Sequence, residues 1–242
     1  MRWTLHHKAS TASTNLDARA GRPGDVFTAG FQTAGRGRLD HRWLSAPGEN
    51  LMLSAVLDVA GLPPEEIATL PLAVGLAVLR GLSPFLPPGT RRALKWPNDV
   101  LVEGRKLAGI LCERRGDAVI AGVGVNVRQR KFADEIADRA LSLAMLGSVA
   151  AVDAVRDAVL AALAEVYDAW RAGGFAAVYP DVAAHDFLRG QTLGVVQTDD
   201  DRAPVAGVCG GIQPDGSLLV GATRVYAGEA HVLRGDDFDR RA

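Results

Sequence analysis

A chain of 242 residues, 48% of them hydrophobic, has the length and apolar content to bury one large domain, or a large and a small one, and is not a disordered segment. With 27 Lys and Arg against 28 Asp and Glu the net charge is −1, so the basic excess of a general nucleic-acid binder is missing. Two cysteines, Cys112 and Cys209, make neither a disulfide framework nor a zinc cage. The opening MRWTLHHKAS has no apolar signal-peptide stretch, and the longest apolar run, residues 70–79, is half of the ~20 residues a membrane span needs. A cytoplasmic protein with no membrane partner is expected.

In chain order, residues 10–25 carry capping residues, a short helical run and a stop at Gly21 and Pro23, with Ser13 or Thr14 as the N-cap. Strands are predicted over 25–32 and 50–59. Between them lies GRGRLDHRW, residues 35–43, where glycine alternates with arginine before a Trp. A helix runs from Thr69 to Leu82, capped by Thr69, with Leu72, Leu76 and Leu79 on its buried stripe. Residues 93–114 read as two strands around a Glu103-Gly104 turn, and 117–127 as another strand. Residues 133–147 are short helical pieces, and 151–171 a long amphipathic helix. A boundary falls near 188; short strands follow, with Asp215-Gly216 marking a hairpin and TDDDR at 198–202 an acidic tip.

Five segments carry candidate chemistry. STN at 13–15 puts two hydroxyls and an amide at a helix start, where a carbonyl or anion can be held, although a plain N-cap explains it too. The Gly/Arg loop matches neither a Walker A loop nor a Rossmann fingerprint, but joins a free backbone to fixed planar charges. KWPND at 95–99 presents Asn98 and Asp99 in a turn. RKLAGIL at 105–111 places Lys106 at the start of an apolar strand, which is also where an edge charge sits. In GVGVN, 122–126, strand glycines mark either a bulge or a close approach.

Together and in this order, STN, QTAGRGR with Trp43, KWPND, RKLAGIL and GVGVN resemble the bacterial biotin protein ligases across roughly residues 10–130. The segment with DGSLLV and GEAHVLR is similar to that family's small C-terminal domain. The resemblance implies an α+β fold: a mixed sheet with helices, class II aminoacyl-tRNA synthetase-like, followed by a small SH3-like β-barrel. Residues 1–188 would form the biotin/ATP-binding catalytic domain and 189–242 the small one. It implies an enzyme that joins biotin to ATP as biotinyl-5′-AMP and passes the biotinyl group to a lysine of a biotin carboxyl carrier protein of acetyl-CoA carboxylase.

The resemblance also implies the site. Ser13, Thr14, Asn15 and Gln32, with backbone at Gly35, Gly109 and Gly122, would bind biotin, joined by Arg36, Arg38 and Lys106. Lys106 and Arg38 would be catalytic, Lys106 bridging carboxylate and α-phosphate oxygens. Asn98, Asp99, Asn126 and Trp43 would meet ATP or the adenylate with Arg38 and Lys106, and Asp99 would orient Mg2+ or the lysine. The anhydride hydrolyses easily, so a Gly/Arg loop able to close over the anion has a purpose. Where relatives read G-R-G-R-x-G-R-x-W, this chain has Asp40 and His41, and the role of the missing arginine does not transfer to His41. Only a dozen residues precede STN, too few for the DNA-binding module of some members, so the short form without DNA binding is expected. Many members dimerise by sheet extension; a homodimer is an expectation that no residue here specifies. The rivals are a lipoate–protein ligase, expected to carry a different glycine-triplet loop, and a non-enzymatic biotin or nucleotide sensor.

Overall fold

The computed structural model describes residues 1–39, 41–197 and 203–233, which form a seven-stranded and a five-stranded sheet. The expected acidic tip at 198–202 and Asp40 lie outside the described residues.

The strands of the larger sheet are β1 (Thr4–Lys8), β2 (Asp25–Ala29), β3 (Leu51–Asp58), β4 (Arg92–Lys95), β5 (Asp99–Val102), β6 (Arg105–Arg115) and β7 (Ala118–Val125). Their order is β1-β2-β3-β7-β6-β5-β4. Only β1 and β2 run parallel, joined through α1 (Thr14–Ala18), so the sheet is mixed.

Register divides the apolar residues between two faces, since side chains alternate along a strand. Leu53, Val123 and Ile110 stand in one cross-strand row and Leu51, Val125 and Ala108 in the next, all buried on the face that packs on α3 (Leu70–Leu82) and α4 (Val152–Gly173). The opposite face is mostly stripped: Val56 and Ile120 pack under Ala18 of α1, but the rows beyond them contain glycines. That half-bare face holds the site.

The helical layer follows its periodicity. Leu72, Leu76 and Leu79 are buried, as are Val155, Val159, Ala162, Leu163, Val166 and Trp170 of α4. Gly81 lets the helices meet closely, because a Cβ there would sit 2.7 Å from Val159 Cα. Thr69 stands at the N-cap position of α3, but its hydroxyl does not cap: it donates to the Glu66 carbonyl at 2.7 Å and accepts the Trp170 indole N–H at 2.9 Å. Ser13 likewise precedes α1 without a side-chain capping bond.

Three differences from the sequence reading have local causes. Residues 93–114 contain three strands, because WPN is itself a hairpin turn between β4 and β5, with a cis Trp96–Pro97 bond. The exposed β1 lacks the apolar alternation of a half-buried strand. Helices α2 (Pro64–Ala68) and α5 (Tyr179–Ala184) are each too short to show a period. The helical stretch Pro64–Phe85 is long and apolar enough by composition to span a bilayer, yet 72% of its most apolar window is buried inside the protein.

The C-terminal sheet is antiparallel: β8 (Thr192–Gln197), β9 (Val205–Ile212), β10 (Leu218–Val220), β11 (Thr223–Val225) and β12 (Gly228–Val232), in the order β11-β10-β9-β8-β12. Asp215 and Gly216 sit in the β9–β10 turn. The Trp96 indole N–H donates to the Gly216 carbonyl at 3.1 Å, and Ile212 N–H to Asp186 Oδ2 at 2.8 Å, which joins this strand-rich unit to the larger sheet.

Candidate active site

The bare face of the sheet is best read as cross-strand rows. One row runs Met52, Gly124, Gly109, Asp99 across β3, β7, β6 and β5; the next runs Ser54, Gly122, Leu111. The glycines are needed for close approach. A Cβ on Gly124 would lie 2.5 Å from the Trp43 ring, and one on Gly122 only 2.2 Å from Asn15 Oδ1. Neither marks a bulge, since the β3–β7 pairing is continuous. Trp43 and Asn15 thus lie down on the sheet, and a cleft open to solvent forms beside them.

At one end the cleft is polar and neutral. Ser13, Thr14 and Asn15 are all buried. Gln32 Oε1 accepts from Thr14 N–H at 2.7 Å and from its hydroxyl at 3.0 Å. Ser54 Oγ lies 2.7 Å from Thr14 Oγ1 and 2.6 Å from Asn15 Oδ1, and Asn15 Nδ2 donates to Glu113 Oε2 at 2.6 Å.

The other end is charged. Lys106 Nζ pairs with Asp99 Oδ1 at 2.6 Å and lies 5.9 Å from the Trp43 ring centroid. A bulge aims this lysine. Val100 pairs with Ala108 but Leu101 with Lys106, so Leu107 is an extra residue in β6. Strict alternation would place Lys106 with Ala108 on the helix face; the bulge restores it to the face of Gly109, whose Cβ would be 3.1 Å from Lys106 Cε. Backbone bonds from Lys106 N–H to Arg139 O and from Leu141 N–H to Lys106 O hold the bulged strand.

Lys95 at the end of β4, paired across the hairpin with Asp99, is a second cation here. Burial holds its ammonium pKa below the ordinary lysine value, with Lys106 acting in the same sense and Asp99 and Glu229 opposing. Burial also lowers the Arg38 pKa, opposed by Glu229 and Asp99.

The Gly/Arg segment is a small irregular hairpin lying over this end. Trp43 N–H donates to Gly35 O, and Gly37 N–H to His41 O. Leu39 at the tip takes a positive φ of 49°. Gly35 permits the crossing, as a Cβ there would be 2.4 Å from Trp43 O. Arg36 reaches Glu113 at 3.2 Å. Arg38 donates to the Gly228 carbonyl of β12 at 3.2 Å, and His41 lies 3.6 Å from Glu229, so the C-terminal sheet forms part of the cleft wall.

Twelve expected residues line one cleft: Ser13, Thr14, Asn15, Gln32, Arg36, Arg38, Trp43, Asn98, Asp99, Lys106, Gly109 and Gly122. Gly35 borders a separate hollow formed by the loop itself instead. Asn126 does not line this cleft; its buried amide donates to Leu141 O at 3.0 Å, which ties down the chain just past the end of β7. Asn98 lines the cleft, but its amide donates to Ile110 O at 2.7 Å. Sequence reasoning missed Ser54, Lys95, Glu113 and Glu229. Lys95 stood inside KWPND, Glu113 just beyond RKLAGIL and Glu229 inside GEAHVLR, a segment that pointed only to the small C-terminal domain; Ser54 carried no local signal.

Residues 8–129 match the biotin/lipoate A/B protein ligase family, and the chain belongs to it. The biotin–[acetyl-CoA-carboxylase] ligase of Mycobacterium tuberculosis is 40% identical over 197 residues, 77% of this chain and 70% of that protein. The bifunctional ligase/repressor BirA of Bacillus subtilis is 37% identical over 127 residues, 50% of this chain but only 38% of BirA. Among solved structures, the biotin protein ligase from Aquifex aeolicus in complex with biotin and ATP superposes with a TM-score of 0.81 at 28% identity, covering 96% of this chain and 99% of that one.

Proposed function

We propose that the chain is a biotin protein ligase: biotin and ATP form biotinyl-5′-AMP and pyrophosphate, and the biotinyl group then passes to a lysine of a biotin carboxyl carrier protein. The observation that carries this reading is one cleft that joins a buried neutral hydrogen-bonding end to a Lys106–Asp99 pair under an arginine loop. Biotin is a small apolar body with a polar ureido ring and a carboxylate tail, and needs these two ends in this order. The relative named biotin–[acetyl-CoA-carboxylase] ligase and the similar Aquifex aeolicus structure in complex with biotin and ATP support the same reading.

The ureido ring belongs at Ser13, Thr14, Asn15 and Gln32, against the backbone of Gly122. The tail then points toward Gly109, Lys106 and Arg38. There the carboxylate oxygen attacks the α-phosphorus and the bond to the pyrophosphate oxygen breaks. Lys106, Arg36 and Arg38 stabilise the charge that gathers on the phosphoryl oxygens, the main help a protein gives such a transfer. Lys106 is held ready by Asp99 and freed from it by a stronger anion. In the second half-reaction a neutral lysine amine attacks the acyl carbon and AMP leaves. Trp43, lying on Gly109 and Gly124, offers a flat face for adenine. Asn98 and Asn126 serve this site by bracing its strands.

No cluster of three His, Cys, Asp or Glu suited to a metal occurs among the described residues. A lone carboxylate fits Mg2+ that arrives on the triphosphate and keeps phosphate and water ligands, with Asp99 the side chain to approach it. When bound, such an ion neutralises phosphate charge. The cytoplasm, where ATP and carrier proteins meet, is the proposed location. The division of the chain near residue 188 is likewise proposed, and a homodimer by sheet extension would use the exposed edge strand β1.

The family also contains lipoate ligases, and substrate-dependent exchange of pyrophosphate into ATP separates the two. Exchange with biotin and not lipoate is expected; exchange with lipoate alone would overturn the reading.

A further inference from the structure

The neutral end of the cleft is short of one proton. Three contacts tie Asn15, Ser54, Thr14 and Gln32 into a chain: Ser54 Oγ to Asn15 Oδ1 at 2.6 Å, Ser54 Oγ to Thr14 Oγ1 at 2.7 Å, and Thr14 Oγ1 to Gln32 Oε1 at 3.0 Å. Only the two hydroxyls bring protons to them. The two amide ends cannot turn to help. Gln32 Oε1 is fixed as an acceptor by Thr14 N–H, and Asn15 turns its NH2 to the Glu113 carboxylate, an acceptor only, and to Leu111 O at 3.4 Å. With Ser54 donating to Asn15, the shortest contact, Thr14 donates either to Gln32 or back to Ser54, and in both cases Thr14 Oγ1 is left facing another oxygen with lone pairs alone.

We propose that Glu113 is a positioning residue that sets this polarity, and that the resulting surplus of acceptors makes the cleft select a ligand that donates an N–H to Thr14 Oγ1. The inference rests on biotin as the substrate and adds to that reading the device that reads one ureido N–H. Thr14 lines the cleft and Ser54 is fully buried beneath it, so Thr14 Oγ1 is the oxygen a ligand meets. A ligand oxygen placed there would add a third set of lone pairs to an unmade bond. Glu113 reaches the site only through others: besides Asn15 it holds Arg36 at 3.2 Å and Arg19 at 3.5 Å.

Glu113→Gln tests this because a glutamine can present an NH2 to Asn15. Asn15 then turns over, its own NH2 donates to Ser54, Ser54 to Thr14 and Thr14 to Gln32, and all three contacts hold a proton. Binding of biotin is compared with that of its two cyclic-carbamate analogues, in each of which one ureido N–H is replaced by oxygen. The wild type is expected to prefer biotin over at least one analogue by about tenfold, as for one buried hydrogen bond lost. Glu113→Gln is expected to shrink that ratio toward one, with the melting temperature unchanged or raised. A role through Arg36 alone would weaken biotin and analogue equally, and an unchanged ratio overturns the proposal. A wild type that binds biotin and both carbamates alike overturns it without any variant. A wild type that binds none of them overturns the ligase reading instead.

Discussion

The sheet floor and the Gly/Arg loop face each other across the cleft and use glycine for opposite purposes. On the floor, Gly109, Gly122 and Gly124 sit in paired strands with ordinary backbone; what matters is the missing Cβ, which lets Asn15, Trp43 and Lys106 lie against the sheet. In the loop, Gly35 and Gly37 allow a short chain to cross itself, and the segment is held by a few backbone bonds and by Arg38 and His41 reaching the C-terminal sheet. The floor is therefore a fixed template for substrate and charge, and the loop a closure. Changes to the floor should abolish the first half-reaction, whereas changes to the loop should slow it less, because Lys106 still meets the phosphoryl oxygens, and should chiefly affect what happens to the intermediate.

The largest effect expected is on the floor. Lys106→Ala should lower biotinyl-AMP formation about a hundredfold or more, the usual loss of one electrostatic contact to a transition-state oxygen. Its circular dichroism should match the wild type, and adenylate formation at the normal rate would remove Lys106 from the chemistry. Next comes a chain ending at Leu188, which takes Gly228 and Glu229 from Arg38 and His41. Carrier biotinylation should fall at least tenfold. Full activity would show that the loop needs no anchor on β12.

Gly124→Val tests the bare face itself. Its side chain would occupy the place of the Trp43 ring, an overpacking that typically costs about 1–3 kcal/mol. With Trp43 displaced, the KM for ATP should rise more than that for biotin, whose ureido end lies a row away at Gly122. Equal effects on both would deny the division of the floor into two ends. The smallest effect on adenylation is expected from the loop. Arg38→Gly should still form adenylate but let it escape, since a bidentate guanidinium clamp is lost. Labelling of an unrelated lysine-rich protein in the presence of biotin and ATP should rise above wild type; equal, negligible labelling with adenylate still formed would mean that Arg38 does not retain it.

How legible these regions were in the sequence follows from the range of the interactions. Motifs that fold into one strand or turn, such as RKLAGIL and GVGVN, show their residues directly, and twelve expected side chains or glycines do line one cleft. Lys106 could be read as an edge charge because the bulge at Leu107 depends on pairing with β5, which no local pattern records. Asn126 ends GVGVN, and the partner of its amide, the backbone at Leu141, is too distant in sequence to be read from that motif. Ser54 sat unremarked in an apolar strand, and its meaning appears only when register sets it opposite Gly122. Glu229 comes from the other sheet and meets the loop only in three dimensions.

Transfer of biotin to a carrier is the central activity to test. Enzyme, biotin, ATP and a biotin carboxyl carrier domain are incubated together, and the intact mass of the carrier is measured. The prediction is a gain of one biotinyl group on a single lysine, dependent on ATP and lost with Lys106→Ala. A carrier mass that stays unchanged with wild-type enzyme, or that rises with lipoate and not with biotin, would contradict it.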